Sequence, residues 1–216
     1  DSGIRPHLLK PIDEEMLDKY IADDDYGAQE KYDGHRKMLQ RNGSSVISIN
    51  RKGEVVGFPV ELETACLGLS FQRFTVDGEE IGNRFYVYDI LEKDGEDLKS
   101  LPYLERYGLL SVIFASANKH IAIAPLYLET EMKRKLYDDL QKEKKEGIVF
   151  KKLDSVYASS MRNNDQVKFK FWTSASCIVL KVNNKRSVLL GLINDGKQIE
   201  IGNCTISVNH NIPEPG

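Results

Sequence analysis

The stretch Lys31-Tyr32-Asp33-Gly34-His35-Arg36 reads Lys-x-Asp-Gly-x-Arg. Apolar and aromatic residues precede it at 26–28 and follow it at 38–39, which predicts a strand on each side. We therefore expect Lys31 at a strand end or in a turn, Gly34 to give the backbone the freedom to turn, and Arg36 to start the next strand. A lysine at such a point can act as a covalent nucleophile once its amine has lost a proton.

The composition limits the classes of protein that the chain can represent. Its 216 residues, 41% hydrophobic and 29% charged, suffice for one ordinary core or for one domain with a small second one. The net charge of -3 does not by itself indicate nucleic-acid binding, which would need a local basic groove. Cys66, Cys177 and Cys204 lack metal-ligand spacing and are interpreted as buried free thiols, which suits a reducing compartment. We find neither a signal peptide nor an apolar run that could span a bilayer.

Periodicity and turn signals predict helices mixed with antiparallel strands. Helices are predicted at residues 13–21, 59–69, 101–116 and 129–145. Strands are predicted within residues 28–58, 85–91, 146–152 and 166–172. Because of Asp77-Gly78, residues 74–81 are interpreted as strand, turn and strand, and residues 1–12 are expected to be irregular.

The strand predicted at 166–172 alternates lysines with aromatic residues. Lys168 and Lys170 therefore share one face, and Phe169 and Phe171 share the other. Two lysines on an inward face are rare in a purely structural strand, so the pattern favours a role in binding phosphate groups.

The sequence changes in character after residue 172. Short strand patterns at 178–180, 187–192 and 199–201 alternate with turn signals, as is typical of a small β-barrel. This part is short for a closed barrel, so we expect the natural chain to continue beyond Gly216.

Several unusual pieces follow one another in a definite order: Lys31-x-Asp33-Gly34-x-Arg36, Arg51, Asp77-Gly78-Glu79, Tyr88-Asp89, Glu146-Gly147 and Lys168-x-Lys170. Together they resemble the motifs of the covalent nucleotidyltransferases, which comprise ATP-dependent DNA ligases, RNA ligases and mRNA capping enzymes. The resemblance covers residues 1–172. It implies an α+β fold: a nucleotidyltransferase (adenylation) domain of antiparallel sheets flanked by helices at 1–172, followed by a partial OB-fold β-barrel at 173–216.

The resemblance also implies a chemistry. Lys31 would attack the α-phosphorus of a nucleoside triphosphate and form a lysyl-nucleotide intermediate, with release of pyrophosphate. Glu79 and Glu146 would hold Mg²⁺ or Mn²⁺. The residues implied to bind the nucleotide are Gln29, Glu30, Arg36, Arg51, Glu79, Tyr88, Lys168 and Lys170. The residues implied to support the site are Asp33, Gly34 and Arg162.

Two of these assignments stay open at the level of the sequence. Neighbouring strand residues face opposite sides, so only one of Glu79 and Glu80 can point into the site, and Glu79 is favoured. Tyr88 occupies the position where the family places an aromatic residue against the purine. An aromatic strand at 85–88 is equally typical of a core.

The small ATP-dependent DNA ligases of phages and bacteria match best, through Asp77-Gly78-Glu79 and the stretches at 88–91 and 146–151. The implied function is the sealing of 5′-phosphate/3′-hydroxyl nicks in duplex DNA with ATP, through a lysyl-AMP and a DNA-adenylate. The alternatives are an RNA ligase, an mRNA capping guanylyltransferase and a nucleotide-binding module without catalysis.

The resemblance also bears on partners and location. We expect a monomer without membrane association that acts on nicked duplex DNA. It would work in the cytoplasm of a bacterium or a phage-infected host, or in a nucleus, and would not be secreted. These families use a further basic motif near the end of the OB domain in the first step, and that motif is not among these 216 residues. Whether this chain alone becomes adenylated is therefore left open by the sequence.

Overall fold

The computed structural model describes residues 3–114, 119–172 and 175–216. Contacts within the chain divide it into two units, Asp1–Phe171 and Trp172–Gly216. The sequence places a domain boundary after residue 172, next to this division. Of the helix predicted at 101–116, residues 115 and 116 lie outside the described residues.

The larger unit combines strands with helices of 6 to 13 residues. Its strands are β1 (Leu8–Pro11), β2 (Tyr26–Glu30), β3 (His35–Asn42), β4 (Ser45–Asn50), β5 (Val55–Val56), β6 (Arg73–Ile81), β7 (Arg84–Lys93), β8 (Glu96–Asp97), β9 (Ile121–Ile123), β10 (Gly147–Lys152) and β11 (Arg162–Lys170). Its helices are α1 (Leu17–Ala22), α2 (Val60–Leu67), α3 (Tyr103–Ile113) and α4 (Thr130–Lys142). The predicted α+β class is confirmed.

One sheet of this unit has the strand order β1-β11-β10-β2, parallel between β1 and β11 and antiparallel elsewhere. The two-residue period of a strand sorts its side chains onto two faces. Ile148, Phe150, Val167 and Phe169 pack with α1 and α4 in an apolar core. The opposite face carries the polar and cationic side chains of Gln29, Lys151, Gln166, Lys168 and Lys170.

The second sheet has the order β5-β4-β3-β6-β7-β8, and β9 pairs with β7. Helices α2 and α3 cover one face, where Leu62 and Leu110 pack with Leu39, Phe74 and Phe85. A smaller apolar cluster lies on the other face, formed by Met38, Ile49, Leu91 and Tyr157. Arg36 and Glu79 are paired across β3 and β6 on this sheet.

Two predictions about local structure are wrong. Residues 8–11 are not irregular: they form β1, because they pair with β11 some 150 residues later, a partner that local sequence does not reveal. Asp77-Gly78 is not a turn, since β6 runs through it with a bulge opposite β7. Gly78 is needed there for close packing, because a Cβ atom would lie 2.5 Å from the Phe85 ring.

The smaller unit is an antiparallel sheet of β12 (Ile178–Asn183), β13 (Ser187–Asn194) and β14 (Lys197–Thr205). Its described residues form no closed barrel. Within the described ranges, no helix combines the length and the apolar composition needed to cross a membrane.

A fully buried ion pair joins α3 to β7. Arg106 Nε and Nη2 donate to the carboxylate of Asp89 at 2.8 and 3.0 Å. Arg106 Nη1 also donates to the carbonyl oxygens of Leu101 and Ser155. One guanidinium therefore holds together the helix, the strand and the segment that follows β10.

We predict that Arg106→Met lowers the free energy of unfolding by about 3–5 kcal/mol, because it leaves the Asp89 carboxylate buried without its partner. Urea unfolding followed by circular dichroism measures this change. The control is Asp139→Asn, which breaks the exposed Lys135–Asp139 pair and should leave the unfolding midpoint nearly unchanged. Equal effects of the two variants would contradict the assignment.

Candidate active site

A cavity of about 650 Å³ lies between the two sheets of the larger unit. Its wall contains most of the residues to which the sequence assigns a role: Gln29, Glu30, Lys31, Gly34, Arg36, Arg51, Glu79, Tyr88, Lys168 and Lys170. Three assigned residues are not part of the wall. Asp33 and Arg162 are exposed, and Glu146 contacts the wall through two lysines.

Lys31 directly follows β2 and is held at both its backbone and its side chain. Its N–H donates to the carbonyl oxygen of Gly147 at 3.0 Å. Its Nζ lies 2.5 Å from Glu146 Oε2, and Lys170 Nζ lies 2.6 Å from Glu146 Oε1. Burial alone would raise the pKa of Glu146, but the hydrogen bonds from Lys170 and Lys31 outweigh it and lower this pKa. One carboxylate thus bridges the candidate nucleophile and a second cation.

Gly34 lets the chain pass close to β6. A Cβ atom on Gly34 would lie 2.4 Å from the carbonyl oxygen of Glu80 and 2.7 Å from Ile81 Cγ1. Gly34 does not have a positive φ. The sequence-based reason for this glycine, freedom to turn, is therefore wrong: close approach of two strands requires it.

Arg36 forms a bidentate ion pair with Asp77. Its Nε and Nη2 donate to Asp77 Oδ1 and Oδ2 at 3.1 and 2.6 Å, and its Nη1 donates to the carbonyl oxygen of His7 at 2.6 Å. Burial works against the charge, but Asp77 outweighs it, so the pKa of Arg36 rises above its usual value. The guanidinium is a fixed positive charge in the cavity wall.

The side chains of Glu79 and Glu80 have different surroundings in the structure. Glu79 belongs to the cavity wall, whereas Glu80 forms an ion pair with Lys37 at 2.7 Å. Burial raises the pKa of Glu79 to about 7, against the opposing effect of Arg36 and Lys31. Of the two carboxylates that sequence leaves open, Glu79 is the one that faces the cavity.

The aromatic residues of β7 have three different surroundings. Phe85 is buried in the core beside α2 and α3, and Tyr86 stacks on Tyr32 with ring centroids 4.3 Å apart. Tyr88 lies in the cavity wall, with Arg36 Cζ 5.6 Å from its ring centroid. Tyr88 is therefore the aromatic side chain of this strand that a ligand in the cavity can reach directly.

The side-chain amide of Gln29 is already bound by the protein. Tyr103 Oη lies 3.1 Å from Gln29 Oε1, and Gln29 Nε2 donates to the carbonyl oxygen of Ala124 at 3.0 Å. Gln29 therefore shapes the wall through a fixed side chain, and its amide is committed to neighbours within the protein.

Sequence reasoning missed Lys151, a buried cation in the cavity wall. Its Nζ lies 4.1 Å from the ring centroid of Tyr88 and 3.4 Å from Tyr103 Oη. In the described part of the chain no carboxylate lies within ion-pair distance of it. Burial lowers its pKa to about 7. The alternation of β10 could have revealed it, because Lys151 shares a face with Val149.

Several cations crowd the same end of the cavity. The pKa of Lys168 is lowered first by burial and then by the charges of Lys31, Lys170 and Arg51. Such a cluster favours an anionic ligand with several oxygen atoms, such as a polyphosphate. The described residues contain no preformed group of three or more metal-binding side chains. The cavity wall contains the carboxylates of Glu30 and Glu79, and Glu146 is paired with Lys31 and Lys170.

Known proteins resemble this chain in sequence. The family model for the ATP-dependent DNA ligase domain matches residues 70–170. A protein from Saccharopolyspora erythraea named "Probable DNA ligase" is 27% identical over 205 residues, which cover 82% of this chain and 39% of that protein. The "Bifunctional non-homologous end joining protein LigD" of Bacillus subtilis is 27% identical over 204 residues, covering 74% of this chain and 33% of that protein. The chain thus spans less than half the length of these curated relatives.

The fold has solved counterparts as well. The structure titled "mycobacterial DNA ligase D complexed with ATP and MES" superposes with a TM-score of 0.67 at 19% identity, covering 96% of this chain and 74% of that chain. At this identity the likeness shows the fold, and it confirms the predicted arrangement of an adenylation-type domain followed by an OB-like part. The match of the family model to residues 70–170 and the curated relatives show that this chain contains a region similar to the ATP-dependent DNA ligase domain, and the solved structure agrees in fold.

Proposed function

We propose that this chain is the adenylated part of an ATP-dependent DNA ligase that seals nicks in duplex DNA. The observation that carries the proposal is the Glu146 carboxylate between Lys31 Nζ and Lys170 Nζ, at the wall of a cation-lined cavity. A lysine amine, its proton acceptor and a phosphate-binding cation are brought together there. The family match supplies the class of reaction.

Three group transfers make up the proposed cycle. Lys31 Nζ forms a bond to the α-phosphorus of ATP as the bond to pyrophosphate breaks. The AMP group then passes from Lys31 to a 5′-phosphate at the nick. The 3′-hydroxyl finally attacks that phosphate and releases AMP, which leaves a sealed strand.

Each residue of the cavity has a chemical task in the first transfer. The amine of Lys31 must lose a proton before it attacks, and Glu146 Oε2 is the oxygen that already accepts its hydrogen bond. Arg36, Arg51, Lys168 and Lys170 stabilise the negative charge that builds on the phosphate oxygens. Tyr88 offers its ring to the purine, beside the fixed side chain of Gln29.

A divalent cation fits the donor set of the cavity. Mg²⁺ commonly binds through one or two carboxylates together with waters and substrate phosphates, and Glu79 and Glu146 supply carboxylates of this kind. Bound there, Mg²⁺ or Mn²⁺ would neutralise part of the phosphate charge. We further propose that the protein acts as a monomer on nicked DNA, in the cytoplasm or the nucleus.

We predict that incubation with α-labelled ATP and Mg²⁺ transfers label to the protein, and that Lys31→Ala abolishes the transfer because it removes the amine that attacks the α-phosphorus. Denaturing electrophoresis measures the covalent label. The matched control is Lys142→Ala, an exposed lysine at the end of α4, which should keep full labelling. A parallel reaction with pre-adenylated nicked DNA tests the sealing step without the need for ATP.

The outcomes separate the possible functions. Label from ATP, or sealing of the pre-adenylated nick, supports the proposal. Label from GTP would assign the chain to guanylyl transfer, and preferential sealing of RNA ends would indicate an RNA ligase. If the protein is neither labelled nor able to seal the nick, catalysis is contradicted and nucleotide binding is the function that remains.

We predict that Lys151→Met stabilises the protein at pH 6 and that this gain shrinks as the pH rises towards 10. The folded pKa of Lys151 is about 7, against an ordinary value of 10.5. Between these values the unfolded state holds the extra proton, so the wild-type free energy of unfolding rises with pH. Below about 7 both states are protonated and the full penalty for burying the cation is present.

Urea unfolding of both proteins at several pH values measures the difference in their free energies of unfolding. The contributions of titrating groups that the two proteins share cancel in this difference. The control is Lys142→Met, which removes an exposed lysine and should give a small difference without this pH dependence. If Lys151→Met is less stable than the wild type at pH 6, the burial of a charged Lys151 does not destabilise the folded protein, which contradicts the prediction.

A further inference from the structure

Tyr157 lies between β10 and β11, outside the cavity wall, and has no role in the family motifs quoted above. It is buried, with 6% of its surface exposed. Its hydroxyl accepts a hydrogen bond from the backbone N–H of His7 at 3.1 Å and donates one to Asp77 Oδ2 at 2.8 Å. It therefore connects two segments that are 150 and 80 residues away in the sequence.

Arg36 closes these contacts into a ring. Arg36 Nη1 donates to the carbonyl oxygen of His7, and Arg36 Nη2 donates to the same Asp77 oxygen that Tyr157 contacts. The ring runs from the His7 N–H through Tyr157 and Asp77 to Arg36 and back to the His7 carbonyl. All of its members come from different parts of the chain, so the ring exists only in the folded protein.

The ring decides which way Arg36 faces. A guanidinium has five N–H donors. The ring of hydrogen bonds and the additional contact with Asp77 Oδ1 together use one donor on each of the three nitrogens of Arg36. One N–H on Nη1 and one on Nη2 are left. Because Arg36 is part of the cavity wall, these are the donors that a bound nucleotide can meet.

The protonation states keep the ring intact near neutral pH. Burial, and then the charge of Asp77, raise the pKa of Tyr157 well above its usual value, so its hydroxyl stays a donor. His7 is held by Asn163 Oδ1 at Nε2 and by the Ala158 N–H at Nδ1. Burial lowers the pKa of His7, although Asp165 and Asp89 oppose this, and Arg36 adds to it. His7 therefore brings no second positive charge beside Arg36.

We propose that Tyr157 is a positioning residue for the nucleotide site: its hydroxyl ties the N-terminal segment to Asp77 and thereby fixes the direction in which Arg36 presents its free donors. The segment matters directly, because Leu8 and Leu9, next to His7, line the same cavity. This inference rests on the proposed function, since it concerns how the ATP site is held in shape.

The test is Tyr157→Phe, which keeps the aromatic side chain and removes only its hydroxyl oxygen. The Arg36 Nε–H proton should exchange with solvent several-fold faster in the variant, as measured by NMR. Its signal is assigned by its loss in Arg36→Lys. The Arg41 Nε–H, bound to the carbonyl oxygen of Gly43, serves as internal reference and should not change. The affinity for AMP, measured by calorimetry, should fall roughly tenfold, as for a lost hydrogen bond to a charged network.

A double-mutant cycle distinguishes positioning from general loss of structure. In the Arg36→Lys background, Tyr157→Phe should cause little further loss of AMP affinity, because its effect passes through Arg36. The matched control is Tyr26→Phe, which removes a largely buried hydroxyl that donates to the carbonyl oxygen of Asn164. It should change the melting temperature without changing Arg36 exchange or AMP affinity.

Unchanged Arg36 exchange in Tyr157→Phe, or a loss of AMP affinity that adds fully to that of Arg36→Lys, would overturn this inference. Failure of the proposed function gives a different result. In that case the wild type neither becomes labelled at Lys31 nor seals a pre-adenylated nick, while the exchange experiment still decides whether Tyr157 holds Arg36.

Discussion

The contact on which the site depends is the bridge that Glu146 makes between Lys31 and Lys170. An isolated buried carboxylate is unfavourable, and so is a pair of neighbouring lysines. The carboxylate and the two lysines stabilise one another, and as a result the Lys31 amine is fixed in place at the wall of a cavity. The surrounding structure serves this arrangement: the Lys31 N–H is held by Gly147, and β10 and β11 set Glu146 beside Lys170.

The interior between the two sheets is unusually polar, and this has a thermodynamic consequence. Arg36, Asp77 and Lys151 occupy positions that apolar side chains of similar size could fill, often with equal or greater stability. Lys151 even lacks a carboxylate partner within the described residues. Proteins break such local rules mainly at functional sites, which agrees with the position of Arg36 and Lys151 in the cavity wall and with the ion pair that Asp77 makes with Arg36.

Much of the site could be predicted from the sequence, for identifiable reasons. Lys31, Arg36, Lys168 and Lys170 lie in short motifs, and strand alternation alone places the last two on one face. The structure brings all four to the cavity wall. The roles assigned to them remain predictions that the experiments above address. Asp33 and Arg162 bear the same kind of assignment, yet both are exposed outside the wall.

The features that sequence missed share one property, which is long-range contact. Strand β1 forms because it pairs with β11, and the hydroxyl of Tyr157 forms hydrogen bonds with His7 and Asp77, which are distant in the sequence. Strand alternation places Lys151 on one face with Val149, but only the tertiary structure shows that this face is buried. Gly34 and Gly78 were expected in turns, and the structure instead uses them where two backbones or a ring approach closely. Local propensity carries no record of such neighbours.

The role of Lys31 as the nucleophile is tested most directly by peptide-mapping mass spectrometry of the chain after incubation with ATP and Mg²⁺, under conditions that preserve acid-labile phosphoramidates. We expect one AMP group per chain, attached to the peptide that contains Lys31. An AMP group on Lys151, Lys168 or Lys170 with Lys31 unmodified would contradict the assignment of Lys31 as the nucleophile.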